Sequence, residues 1–108
     1  MTDESPMNRR NLESLIDRVG LRAFEVFLEV VEQGSFSGAA EELNLSQPTV
    51  SQHVKTLERT LGEPLLIRGQ DGVRPTALGR TCHGELRSLK AIKEDLEEEL
   101  KTYFNAGR

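Results

Sequence analysis

Residues 34–58, Gly34-Ser-Phe-Ser-Gly-Ala-Ala-Glu-Glu-Leu-Asn-Leu-Ser-Gln-Pro-Thr-Val-Ser-Gln-His-Val-Lys-Thr-Leu-Glu58, decide how the rest of the chain is read. They spell two short amphipathic helices joined by a tight turn. Ser37 is placed to cap a helix whose inner face is Ala39, Ala40 and Leu43. Two adjacent alanines leave room for a second helix to cross closely. Asn44 tolerates a left-handed backbone and ends that helix. Leu45 then plugs the turn from the core side, and Ser46 is the next N-cap. Pro48 falls in the first turn, where a missing N–H costs little. Val50, Val54, Leu57 and Leu61 recur at helical spacing as one buried face. Pro48, Gln52, Lys55 and Arg59 lie opposite, with Gln47, Thr49 and Ser51 flanking the helix start. That outer face carries amides, hydroxyls and positive charge, with no carboxylate before Glu58. Such groups suit base edges and phosphates.

The flanking sequence supplies a frame for this pair. Upstream, Leu21 to Gln33 reads as a scaffold helix with Phe24, Phe27, Leu28, Val30 and Val31 turned inward, and Gly34 ends it. Before it, residues 1–8 are polar and expected to be disordered, and Arg9 to Val19 shows an amphipathic pattern in Leu12, Leu15, Ile16 and Val19. This extension reads as packing on the domain, or as an extra dimer or partner contact. Downstream, Glu63-Pro64 breaks the helix, Leu65–Arg68 reads as a strand, Gln70-Asp71-Gly72 as a hairpin turn and Val73–Pro75 as the return strand. Arg68 and Arg74 flank the hairpin base. At least one of them is expected to touch phosphate or the minor groove; the alternative is a hairpin that only covers the core.

Thr76 is expected to cap a long helix. In it Leu78, Cys82, Leu86, Leu89, Ile92, Leu96, Leu100 and Tyr103 recur with a mean step near 3.5, a coiled-coil seam. Lys93–Glu97 and Glu97–Lys101 stand at i,i+4 spacing on the exposed side. A lone helix has no core of its own to bury such a seam, so a second copy is the expected partner. Packing back on its own domain is the alternative, and the seam alone fits parallel or antiparallel pairing.

Residues 21–80 resemble the N-terminal winged helix-turn-helix of LysR-type transcriptional regulators. The resemblance rests on Phe27, Gly34-Ser-Phe36, Ala39-Ala40, Leu43, Ser46-Gln-Pro48, Ser51, Leu57-Glu58, Leu61-Gly62, Leu65, Arg68, Arg74, Thr76 and Gly79, all in one register. Leu66-Ile67 and Pro75 depart from the family's usual Phe-Glu and Leu, a matter of packing more than chemistry. The expected fold is mainly α: a three-helix core plus a β-hairpin wing, followed by a long dimerising linker helix. The division it implies is an N-terminal extension over 1–20, the winged domain over 21–76 with its helix-turn-helix at about 36–58 and wing at about 65–75, and the linker helix over 77–105.

The resemblance implies double-stranded DNA with an inverted-repeat operator as one partner and a homodimer through the linker helices, in antiparallel pairing, as the other. Gln47, Pro48, Thr49, Ser51 and Gln52 match groove-facing positions, with Gln52 where many members carry arginine. Lys55 and Arg59 are expected to clamp phosphates. Ser35 and Ser37 either donate to phosphate or cap the first helix. A small-molecule effector would act only through a larger domain that is missing from these 108 residues. An excised DNA-binding fragment is therefore favoured over a natural single-domain protein. Another winged-helix family, such as the molybdate-responsive regulators, fits the Ser46-Gln-Pro48 register less well.

Composition narrows the rest. A net charge of −4 weakens long-range attraction to DNA, but residues 46–80 hold Lys55, Arg59, Arg68, Arg74 and Arg80 against Glu58, Glu63 and Asp71. Acid gathers instead in the first helices and at Glu94–Glu99. No apolar run approaches a membrane span and the N-terminus has no signal-peptide pattern, so a cytoplasmic, nucleoid-associated protein is expected. Lone Cys82 fits a reducing compartment and reads as helix packing. His53 and His83 have no metal-ligand company, and no nucleophile–base set or phosphate-binding glycine loop suggests an enzyme or a cofactor. A different reading is an interaction module whose linker helix forms mixed dimers that inactivate a full-length regulator.

Overall fold

The structure is a computed structural model that describes residues 15–107. The expected disorder of residues 1–8 and the start of the extension helix, with Leu12, lie outside the described residues. Residues 15–19 are helical, with Leu15 buried, Val19 packed on the core and Ile16 half-exposed. After Gly20 come α1 (Leu21–Gln33), α2 (Phe36–Leu43), α3 (Gln47–Leu61), β1 (Leu66–Gly69), β2 (Gly72–Pro75) and α4 (Ala77–Ala106).

The core lies where α1, α2 and α3 cross. Phe27, Val26, Val30, Val50, Val54, Leu57 and Leu65 are its fully buried side chains. Ala39 and Ala40 are buried too, so small side chains carry the close helix crossing that their pairing in sequence suggested. The turn between α2 and α3 is set by Asn44, which adopts φ 57° as the left-handed cap, while Leu45 N–H donates to the Ala40 carbonyl at 2.9 Å. Leu45 then packs against the core.

Two expectations shift by a residue or two. The cap of α2 is Ser35, not Ser37: its backbone is extended and its hydroxyl accepts from Gly38 N–H at 2.9 Å. Phe36 is the reason. It is buried alongside Ala39 and Ala40, so it belongs to the helix's inner face and the cap must precede it. In the hairpin, Gly69 pairs with Gly72 and the two-residue turn is Gln70-Asp71, so Gly72, at φ 115°, opens the return strand.

The hairpin is tied to the helices at three points. Val73 N–H donates to the Gly34 carbonyl at 3.1 Å, which binds β2 to the turn between α1 and α2. The Glu58 carboxylate accepts from Leu65 N–H at 2.8 Å and Leu66 N–H at 3.3 Å, fastening the end of α3 to the start of β1. Thr76 caps α4 by accepting from Gly79 N–H at 3.1 Å and donates its own proton to the Pro64 carbonyl at 2.9 Å. Hydrogen bonds to a charged acceptor are stronger than neutral ones. Glu58→Ala should therefore lower stability by about 2 kcal/mol, read as an earlier thermal transition with the oligomeric state unchanged. A melting curve that overlays the parent would mean that β1 is held without the carboxylate.

The apolar seam of α4 divides. Leu78 and Cys82 pack on the domain's own core and Leu86 joins it. Burial pushes the Cys82 thiol up, which keeps it protonated and fits a packing role. From Leu89 onward the seam has no cover among the described residues: Ile92, Leu96, Leu100, Tyr103 and Phe104 are all exposed.

Ion pairs pin the near half of α4 to α1. Lys93 reaches Glu25 at 2.8 Å, Lys90 reaches Glu32 at 3.3 Å and Glu29 at 3.7 Å, and Arg87 reaches Glu32 at 3.6 Å. Lys93 thus turns to α1, where the sequence suggested a pair with Glu97 along its own helix. Desolvation works against the Lys90 ammonium, but its hydrogen bond to Glu32 and the charges of Glu29, Glu32 and Glu94 outweigh it and raise its pKa. The hydrogen bond to Glu25 and that residue's charge raise Lys93 in the same way. Because both values are raised, this latch is fully present below the ordinary lysine pKa of 10.5 and is lost as pH climbs through the higher folded values.

Candidate nucleic-acid interface

The exposed side of α3 is built by its own periodicity. Val50, Val54, Leu57 and Leu61 are buried, and their spacing forces the other residues outward. Gln47, Pro48, Thr49, Gln52, Lys55 and Arg59 are exposed, and Ser51 is half-buried at the edge of the same face. Ser46 caps the helix: its hydroxyl lies 2.8 Å from the Thr49 hydroxyl and accepts from Thr49 N–H at 3.2 Å. The Thr49 hydroxyl is therefore partly committed to the cap. Gln52 makes only a long contact, its amide N–H 3.5 Å from the Thr56 hydroxyl, and stays available to an external partner. His53 is half-buried on the shoulder toward the core.

The other candidates frame this helix. Ser37 is exposed on the first turn of α2, whereas the Ser35 hydroxyl is used as the cap. The Arg68 guanidinium lies over the Phe36 ring at 4.2 Å from its centre. This contact holds the charge beside the start of α2, next to Ser35 and Ser37 in sequence, and leaves its donors free. Arg74 is exposed on the neighbouring strand, opposite Ile67. Among the described residues, Lys55, Arg59, Arg68 and Arg74 have no carboxylate within ion-pair distance. The acidic side chains of α1 are instead engaged by α4, and the Glu58 carboxylate is engaged by backbone N–H groups. The face of α3 is thus more positive than the net charge of the chain suggests.

Sequence reasoning missed the inward role of Glu58, the Arg68–Phe36 contact and the α1–α4 ion pairs. Each joins residues distant in the chain, and periodicity carries no signal for such pairs. Among the described residues no group of histidine, cysteine and carboxylate side chains is placed to hold a metal ion, and no helix is long and apolar enough to cross a membrane.

A three-helix core whose second and third helices meet at a tight left-handed turn, followed by a two-stranded hairpin, is a winged helix-turn-helix, the architecture of DNA-binding regulatory domains. Residues 21–80 match the family described as bacterial regulatory helix-turn-helix protein, lysR family, and the chain belongs to that family. It is 35% identical over 88 residues to the HTH-type transcriptional regulator LinR of Sphingobium indicum, a match covering 82% of this chain and 29% of LinR. It is similar in structure to the BenM DNA-binding domain solved with benA site 1 DNA, at a TM-score of 0.66 and 33% identity, covering 76% of this chain and 95% of that one. It is also similar to the CbnR DNA-binding domain solved with DNA, at a TM-score of 0.64 and 28% identity, covering 82% and 98%. The chain spans less than a third of the length of LinR.

Proposed function

We propose that this chain reads double-stranded DNA as a dimer, with residues 21–76 as the reading domain and 77–105 as the dimerising helix. Each α3 enters a major groove, and the pair contacts two half-sites of an inverted repeat on one side of the duplex. The observation that carries this reading is the outer face of α3, exposed, free of carboxylate and rich in amide, hydroxyl and ammonium groups. The BenM and CbnR domains, each solved on DNA, support it by likeness. Gln47, Thr49, Ser51 and Gln52 read base edges, with Pro48 packed against them. Lys55, Arg59, Arg68 and Arg74 contact the phosphate backbone or the minor groove, with Ser37 and Ser35 at the start of α2. The place of action is the cytoplasm, on the nucleoid.

Selection of binding sites from a random duplex library at moderate salt tests this. Enrichment of an interrupted inverted repeat is the expected result. A folded, dimeric protein that enriches nothing would overturn it. Gln52→Arg should move base preference at one position per half-site from adenine toward guanine, since glutamine pairs with adenine and arginine with guanine. Identical selected sites for the two proteins would remove Gln52 from the readers.

The uncovered stretch from Leu89 to Phe104 supports a second reading, in which α4 forms mixed dimers that inactivate a full-length regulator. The two readings part on whether the outer face of α3 matters.

A further inference from the structure

The uncovered part of α4 has an internal symmetry. Leu89, Ile92, Leu96, Leu100 and Tyr103 are separated by 3, 4, 4 and 3 residues, a pattern that reads the same in both directions about Leu96. Two such helices laid antiparallel with Leu96 at the dyad place Ile92 against the partner's Leu100 and Leu89 against the partner's Tyr103. Shifting the register by one residue breaks every one of these pairs.

Beside this seam lies a groove between α1 and α4. Its floor is Leu28, Leu43, Leu86 and Leu89, its rim carries Glu25, Lys93 and Glu97, and its volume is about 140 Å³. A dry apolar cavity of roughly this size takes one benzene ring. Phe104 is half-exposed, stacked edge-on against Tyr103 with ring centres 5.2 Å apart, and touches no core residue of its own domain. On a helix of 3.6 residues per turn, Phe104 sits about 80° from the direction of Leu96, on the side where Leu86 and Lys93 also lie. A dyad perpendicular to paired helices keeps equivalent flanks on the same side. The partner's Phe104 therefore arrives level with residue 88, on the flank that holds the groove. Charge agrees: the partner's Glu97 comes within one turn of Lys93 on that same flank.

We propose that the groove between α1 and α4 is the receiving site for the partner's Phe104, in an antiparallel pair of α4 helices centred on Leu96. The proposal rests on the dimeric reading above. It makes the interface more than a helix pair: an aromatic ring from one copy plugs the body of the other and joins its α1 to the seam.

The test uses the full chain in a Cys82→Ala background, with one added cysteine per chain and two chains distinguishable by mass. Mixing Ile92→Cys with Leu100→Cys chains under mild oxidation should give the mixed disulfide in preference to either self-disulfide. Leu89→Cys with Phe104→Cys should do the same. Self-disulfides at 92 and at 100 without the mixed product would mean a parallel pair and overturn the proposal. No cross-link at any pair in a protein that sediments as a dimer would overturn the register and leave the dimeric reading standing. A monomer by sedimentation would sink both, as it would if residues 1–14 of the same chain covered the groove. Phe104→Ala gives a separate readout: dimer dissociation should rise about tenfold or more, with the melting of the monomeric domain unchanged. An unchanged dissociation constant would remove Phe104 from the interface.

Discussion

Replacing Gln47, Ser51 and Gln52 together with alanine should reduce binding to the selected operator about a thousandfold, to the level of an unrelated duplex. A well-made base contact contributes about 1–3 kcal/mol of discrimination, and the losses within one site are only partly additive. Three contacts per half-site, doubled in a dimer, are enough to remove the preference altogether. The fold should not change. Gln47 and Gln52 are exposed, Ser51 is half-buried without a hydrogen bond among those described, and the cap of α3 is Ser46, which is left intact. Alanine also suits a helix better than the residues it replaces. Fluorescence anisotropy at fixed salt, beside sedimentation of the same protein, reads both halves of the expectation. Lost binding with an intact dimer is the expected pair of results. Undiminished binding would remove these residues from the site and leave phosphate contact as the whole interaction. The same protein separates the two functional readings, since a module that acts by forming mixed dimers would keep that activity.

The second large effect is structural. Gly79→Ala should destabilise the fold by about 3 kcal/mol, which is roughly 15 °C in Tm for a domain of this size. Gly79 lies in the first turn of α4 and is buried, and an added Cβ would clash with the Leu65 carbonyl oxygen and press on the Pro75 side chain. The carbonyl is main chain, held in place because it also accepts from Thr76 N–H at 3.0 Å. Neither side can give way without moving the start of β1 or the whole of α4. Alanine gains up to about 1 kcal/mol of helix propensity over glycine, too little to offset the clash. Gly84 is the control. It lies in the same helix with nothing near the position of its missing Cβ, so Gly84→Ala should be neutral or slightly stabilising. Equal melting temperatures for the two variants would show that α4 does not press on the loop before β1.

These two expectations also show which parts of the molecule were legible in the chain. The faces of α1 and α3 were readable because apolar residues recur at helical intervals and nothing in the tertiary structure overrides them. The left-handed cap at Asn44 and the cap at Ser46 follow from local chemistry. The misplaced cap at Ser37 came from giving the hydroxyl more weight than Phe36, whose spacing of three and four residues to Ala39 and Ala40 already marks it as part of the inner face. The α4 seam was read as continuous. Periodicity reports which side of a helix is apolar, and it is silent on whether the cover is the chain's own core or another molecule. Only the placement of α4 across α1 separates Leu78, Cys82 and Leu86 from Leu89 and beyond. For Gly79, matched position supplied the residue and the structure supplied the cause.

The division of α4 has a consequence for how far apart the two reading heads stand. Its near half is riveted to the domain by the Glu25, Glu29 and Glu32 pairs, and its far half projects beyond it. In the proposed dimer that projecting half is a ruler. Adding one residue between Lys93 and Leu96 would rotate each head by about 100° and displace it by about 1.5 Å relative to the dyad. Operator spacing is then a length written into α4, and it can drift in evolution without any change in the residues that touch a base.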